Sequence, residues 1–345
     1  MKILFFVYPS AFQAPGGGET LLLKTKEALE AKGIMVKLFD QWKDKLQDYD
    51  ILHVFGSVKD CLGLMQSAKS LGVKIVLSPI FWSTFQRAWH EYGTLKNKLQ
   101  MSARHMAKKI FPVFPSARRR MFVLADALAP NSKTEADQIN RLFAVSKNKM
   151  HIVPCGVDRR FANADARIFT DKYGLRDFVL SVGRIEPRKN QLNLIKAMRG
   201  FGKQLVFIGG VVPGFEAYFY ECKRSGDKNT VFIDHLEHED PLFASAYAAS
   251  SVFVLPGWFE TPGLVALEAG LAGARLAVTE VGSTREYFKD YAEYFNPSSI
   301  RSIREAIEKS LQKKSAEELR KHIMDNFLWE CTVEENIKIY KHLLQ

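Results

Sequence analysis

No stretch of this 345-residue chain approaches the roughly 18 consecutive apolar residues that a membrane-spanning helix requires, so any membrane contact is expected to be peripheral. Cysteine is scarce. The four present, Cys61, Cys155, Cys222 and Cys331, lie far apart, with no Cys-x-x-Cys pair and no histidine cluster. That spacing points to neither a zinc site nor a disulfide framework, and reduced thiols in a cytoplasm are the expectation. The opening run from Met1 to Pro9 is too short for the apolar core of a secretory signal and reads instead as a first β-strand. A periplasmic solute-binding protein, which shares a two-lobed plan, is disfavoured on that ground. Short-period repeats and low-complexity tracts are missing. So are helix-turn-helix, zinc-finger and RNP patterns, which leaves nucleic-acid binding resting on charge alone and disfavoured.

What is present describes a globular protein with real cores. Hydrophobic residues make up 47% of the chain and charged residues 25%. The length is about two ordinary domains at roughly 150 residues each. A net charge of +11 calls for an anionic partner, and phosphate-bearing ligands and anionic lipid head groups both fit it.

Short apolar runs alternate with amphipathic stretches, the mark of βαβ units and a doubly wound α/β fold. In the first half, strands are expected at 2–7, 35–39, 51–55, 74–77, 127–129 and 151–153, with helices at 19–31 and 132–143. The alternation restarts with strands at 178–182, 204–208, 231–233, 252–255 and 276–278. Between the halves lies the turn-rich Pro154-Cys155-Gly156-Val157-Asp158, which marks a domain boundary. The stretch 332–344 reads as a helix packing back on the first domain. Two open parallel sheets predict a ligand cleft at the carboxyl ends of their strands.

Three loops have phosphate-binding character. The first strand runs into Gly16-Gly17-Gly18 and a helix, whose N-terminus offers free N–H groups to an anion, although a plain flexible loop fits as well. After the strand at 178–182 come Gly183, Arg184 and Lys189, whose cations can neutralise a diphosphate. Arg188 is expected to be a solvated neighbour. The third loop is the most specific. It carries Glu260, Thr261, Pro262 and Gly263, and there a helix starts, so that Gly263, Leu264 and Val265 turn N–H groups toward phosphate. Glu260 can accept hydrogen bonds from sugar hydroxyls. Glu268, about 7.5 Å down the helix, sits inside an apolar face where small-residue packing does not account for it.

With these residues in hand, the chain resembles the retaining glycosyltransferases of family 4, which have the GT-B architecture of two Rossmann-like domains. Glu260 through Glu268 is similar to that family's Glu-x7-Glu motif, and Gly183-Arg184 with Lys189 to its donor-phosphate element. Val153–Asp158 resembles the Pro-Asn-Gly-Val-Asp hinge with Cys155 in place of Asn, Gly16–Gly18 the first Gly loop, and Val281–Glu286 a Gly-Gly-x-x-Glu turn. The resemblance implies an acceptor-binding domain over 1–158, a donor-nucleotide domain over 159–328 and a C-terminal helix over 329–345. It implies sugar transfer from a nucleoside-diphosphate sugar to a glycan or lipid-linked glycan in cell-surface polysaccharide synthesis, with retention and without cofactor or metal. On that reading Arg184 and Lys189 hold the diphosphate, Glu260 orients the sugar, Glu268 binds the ribose, and the base lies near Leu236.

The chain departs from that pattern at 77–83, where many family members carry a histidine facing the donor sugar and this sequence has none. Trp82 and His53 are the candidate replacements, with core packing an equal reading for Trp82 and a structural role the favoured one for His53; His90 is a third option with little to support it. Residues 96–120 combine cations with Leu, Met, Ile and Phe, the composition of a segment lying on an anionic membrane surface, with Lys108, Lys109 and Arg118–Arg120 as the expected contacts. A basic solvated helix followed by a loop is the alternative. Two other functions stay open: a degenerate non-catalytic sugar-nucleotide binder, and a sugar-nucleotide epimerase of the same architecture.

Overall fold

The order of the strands follows from where the apolar runs fall. The computed structural model describes residues 1–13, 15–83 and 95–345. The first sheet is parallel, in the order β2-β1-β3-β4-β5, and comprises β1 (Lys2–Val7), β2 (Met35–Leu38), β3 (Ile51–Phe55), β4 (Lys74–Ser78) and β5 (Ala127–Leu128). All five residues of β3 are buried, as in a parallel sheet covered on both faces. The second sheet is also parallel, in the order β11-β10-β9-β6-β7-β8. Its strands are β6 (Phe178–Val182), β7 (Leu205–Ile208), β8 (Thr230–Ile233), β9 (Ser250–Leu255), β10 (Arg275–Thr279) and β11 (Glu293–Phe295). Helices connect successive strands in both, so each is a Rossmann-like, doubly wound domain.

The chain divides into two compact units. One holds residues 1–83, 103–156 and 329–345, and the other 157–328 with 95–102. The second unit begins at Val157, two residues before the sequence-based start at 159, because the Val157 N–H donates to the Phe327 carbonyl and Val157 bridges to Leu328. Within the first unit, the Trp329–Leu344 helix packs on the Gly17–Ala31 helix, and Thr332 Oγ1 donates to the Pro154 carbonyl at 2.7 Å.

Two strand assignments differ from the sequence reading. Residues 151–153 run beside β5 but form no strand. The N–H groups of His151 and Val153 donate to Leu128 and Pro130, yet Pro130 has no N–H to return to His151, and Ser132 is already the cap of the next helix. Conversely β11, a three-residue edge strand on β10, is too short for its apolar pattern to register in the sequence. Among the described residues no helix is long and apolar enough to cross a membrane.

Candidate functional site

In the second sheet the chain builds outward from β6 toward β8 on one side and from β9 toward β11 on the other. The reversal lies between β6 and β9, and open α/β sheets bind ligands outside the carboxyl ends of the strands at such a point. From those two ends leave the loops 183–190 and 256–263, so topology alone brings the two richest sequence motifs together.

The loops are tied to each other by contacts that carry no sequence signature. The Trp258 N–H donates to the Arg188 carbonyl and its indole N–H to the Pro187 carbonyl, both at 3.1 Å. Asn190, buried at φ 57°, donates from Nδ2 to the carbonyls of Pro256 at 3.0 Å and Pro297 at 2.9 Å. This frame holds Lys189 Nζ 2.7 Å from Glu260 Oε1. Burial pushes the Lys189 ammonium below its ordinary pKa, and the charge of Glu260 pulls against that. Glu186 accepts from Arg188 Nη2 at 3.1 Å and from Arg184 Nη2 at 3.4 Å. Arg188 is therefore no solvated neighbour. It is half-buried, 4.0 Å from Glu260 Oε1, and stacked over the Phe259 ring. Three cations face two carboxylates, and the cluster keeps one net positive charge.

Glu260 is held through its backbone as well, its N–H donating to the Val281 carbonyl and its carbonyl accepting from the Ser283 N–H, each at 3.0 Å. The chain then passes Thr261 and buried Pro262 and reaches Gly263, the N-cap of the Leu264–Leu271 helix. A φ of 90° at Gly263 is a conformation that other residues rarely adopt. Gly263, Leu264 and Val265 are only half-buried, so the positive end of this helix is open to a ligand.

One turn further on, both oxygens of the buried Glu268 carboxylate are engaged. Oε1 accepts from His238 Nε2 and Oε2 from the Tyr247 hydroxyl, each at 2.8 Å. Arg160 closes the group, with Nη2 donating to the His238 carbonyl at 2.6 Å and lying 2.9 Å from Nδ1, and Nη1 3.0 Å from Glu239. Burial acts against the charged imidazolium, but the hydrogen bond and charge of Glu268 outweigh it and raise the His238 pKa above its usual value. The sequence reading placed the nucleotide-facing loop at Asp234–Leu236 and stopped two residues short of His238. Leu236 itself is half-buried in that loop, after β8. Tyr247 ends an apolar helical stretch with nothing to mark it.

The first unit gives a different result for its candidates. Gly17 and Gly18 open the Gly17–Ala31 helix, but the Glu19 carboxylate already accepts from the Gly16 N–H at 2.8 Å, which places a negative charge at this helix start. His53 is a correction. It is wholly buried in β3, with Nδ1 2.6 Å from the Tyr340 hydroxyl and Nε2 2.9 Å from Ser78 Oγ. Burial pulls its pKa down to about 3, so it is a neutral strut between β4 and the C-terminal helix and has no nitrogen left for a sugar. Trp82 is buried at 7% exposure, which leaves no open face for a sugar to stack on. His90 lies outside the residues that the structure describes. Among the described residues no group of three or more His, Cys, Asp or Glu is gathered as metal ligands.

Residues 164–326, the part that supplies most of this cluster, match the sequence model of the family described as glycosyl transferases group 1. Those residues, just under half of the chain, form a domain of that family. Over 298 residues the chain is 27% identical to the serotype-specific mannosyltransferase WbdA of Escherichia coli, covering 80% of this chain and 35% of that protein. Over 176 residues it is 33% identical to a D-inositol 3-phosphate glycosyltransferase of Kribbella flavida, covering 46% of this chain and 41% of that one. It thus spans about a third of the length of the mannosyltransferase it matches. Sucrose-phosphate synthase from Thermosynechococcus elongatus superposes with a TM-score of 0.77 at 17% identity, covering 100% of this chain and 99% of that one. Anabaena HepE in complex with UDP superposes with a TM-score of 0.71 at 16% identity, over 99% and 100%. At those identities the likeness concerns the fold.

Proposed function

We propose that this protein is a glycosyltransferase that moves a sugar from a nucleoside-diphosphate sugar to a glycan or lipid-linked glycan acceptor in cell-surface polysaccharide synthesis. Transfer proceeds with retention, as the resemblance implies, without a metal ion, at the cytoplasmic face of a membrane. The observation that carries the reading is the meeting of Arg184, Arg188 and Lys189 with the open N-terminus of the Leu264–Leu271 helix, beside Glu260. A departing diphosphate gains negative charge as the glycosidic C–O bond breaks. Fixed cations and helix N–H groups stabilise it without reorganising. On this reading Glu260 orients sugar hydroxyls and Glu268 takes the ribose in exchange for one of its present partners. Gly183 lets the backbone of the first loop approach the phosphates, and Thr261 and Pro262 lead the second into the helix.

A thermal-shift panel of UDP-, GDP-, ADP- and dTDP-sugars tests this. One donor class is expected to raise the melting temperature of the native protein, and the Arg184→Ala/Glu260→Ala double variant to lose that shift. Absence of a shift with every donor, with or without a glycan acceptor, would sink the reading. A shift without any transferred product would favour the non-catalytic binder.

The Glu268 contacts add a pH dependence. To bind Glu268, ribose hydroxyls must replace His238 Nε2, and the imidazolium holds the carboxylate harder than the neutral ring. Affinity for the donor is therefore expected to fall as pH drops through the raised His238 pKa. Arg160, Glu239, Glu268 and Tyr247 are the charged and titratable groups against the ring, and all are present in both states. Stability moves the other way, since a raised folded-state pKa contributes stability at low pH that is lost as pH rises through it. Calorimetric titration with a nucleotide sugar, whose diphosphate does not itself titrate there, should show the slope, and His238→Gln should flatten it. Equal affinity on both sides of that pKa would refute the competition.

A further inference from the structure

The segment after the helix Leu95–Ile110 exposes an apolar knuckle. Ile110, Phe111, Val113 and Phe114 are 62%, 63%, 61% and 66% exposed. The Phe114 N–H donates to the Phe111 carbonyl at 3.0 Å, closing a tight turn with Pro112 at its second position. Four neighbouring large apolar side chains left this far in water exceed the scatter of single exposed hydrophobics on a folded surface.

The stretch of sequence that carries the knuckle bears charge of one sign. Between Glu91 and Asp126 the sequence has eight Lys and Arg and no acidic residue. The structure sorts these cations and corrects the set expected from sequence. Arg118 Nε donates to the Ser57 carbonyl and hydroxyl at 3.0 and 3.1 Å, and its guanidinium lies over the Phe81 ring. Arg119 Nε donates to the Phe143 carbonyl at 3.0 Å, and Lys108 is half-buried over the Phe143 ring. Those three brace the first unit. Arg104, Lys109 and Arg120 are exposed.

We infer that residues 110–114 insert into the interface of an anionic lipid bilayer, with Arg104, Lys109 and Arg120 at head-group level. An apolar tip with exposed cations and no carboxylate in its own stretch of sequence suits such a surface. A second copy of this chain does not, because two such faces would bring like charges together on a protein of net charge +11. The inference deepens the proposed function by giving its lipid-linked acceptor a docking surface. Vesicle binding needs neither donor nor acceptor, so its failure would leave the transfer reading standing.

The test is co-sedimentation of the full chain with phosphatidylcholine vesicles, with and without about one-third phosphatidylglycerol. Binding is expected only with the anionic lipid. Phe111→Ser/Phe114→Ser should weaken it more than about tenfold while leaving the melting temperature and any nucleotide-sugar shift unchanged. Lys109→Ser/Arg120→Ser should weaken it by about fivefold per cation, and Lys108→Ser much less. Absence of binding to anionic vesicles would overturn the inference. So would undiminished binding by the phenylalanine variant, which would mean adsorption by charge alone. A concentration-dependent dimer in sedimentation velocity, abolished by the same variant, would assign the face to self-association instead.

Discussion

Lys189→Met is expected to lower kcat/KM by at least about 100-fold, the scale on which a fixed electrostatic contact to a developing charge acts. Arg184→Ala should fall in the same direction by less, because Arg184 is more exposed, at 39% against 16%, and pairs with Glu186 rather than Glu260. The Lys189 substitution has a second consequence. Glu260, its side chain only 6% exposed, loses its close cation and is left with Arg188 at 4.0 Å. Breaking such a pair costs about 3–5 kcal/mol when both partners are deeply buried, and the residual exposure of Lys189 places this one at the lower end. Lys189→Met/Glu260→Gln removes both charges. That double variant should recover much of the lost stability and none of the activity. Chemical denaturation and initial rates on the same four proteins separate the two roles. Retention of kcat within about threefold in Lys189→Met would refute its part in stabilising the leaving group.

The second large effect is expected from a residue that touches no ligand. A Cβ on Gly282 would lie 1.9 Å from the Glu260 carbonyl oxygen and 2.9 Å from its nitrogen, at a backbone φ of 124°. Relief requires the 281–283 segment to withdraw and give up the two hydrogen bonds that hold Glu260. Gly282→Ala should therefore cost about 2–4 kcal/mol, with a melting temperature lower by several degrees. Donor affinity should fall with it. Gly273→Ala is the control. Its φ of 96° is equally unusual, but its Cβ would meet nothing within 4 Å, so backbone strain of about 1 kcal/mol is the whole expected cost. Equal losses in the two variants would mean that strain, not the contact with Glu260, governs both.

These predictions draw on unequal parts of the sequence. The strands of both sheets other than β11 were legible, the central ones because a strand buried in a parallel sheet must be apolar throughout, as Phe178–Val182 and Ile51–Phe55 are. The two loops that meet at the carboxyl ends of β6 and β9 stood out in the sequence because each gathers Gly, charged residues and a helix start within a few residues. Glu268 stood out because a carboxylate in an apolar face needs a reason. The partners of these residues were not legible. His238 reaches Glu268 from 30 residues away and Tyr247 from 21, and no periodicity links a donor on one element to an acceptor on another. Arg118 and Arg119 failed as membrane contacts for the same cause, since their acceptors, Ser57 and Phe143, lie far off in the chain.

The sequence by itself determined the class of fold, the alternation of strand and helix, and the residue types gathered at the carboxyl ends of β6 and β9. It determined these because each depends on local pattern, on period or on the conformational limits of single residues. Tertiary structure alone decided that His53 braces the core through Tyr340, 287 residues away, and that Trp82 is buried. It decided too that Glu268 is held by an imidazole, and which cations beside the Phe111–Phe114 turn reach water. Each of those outcomes depends on which side chain meets which across the fold, and a hydrogen bond closed over hundreds of residues leaves no trace in the order of its letters.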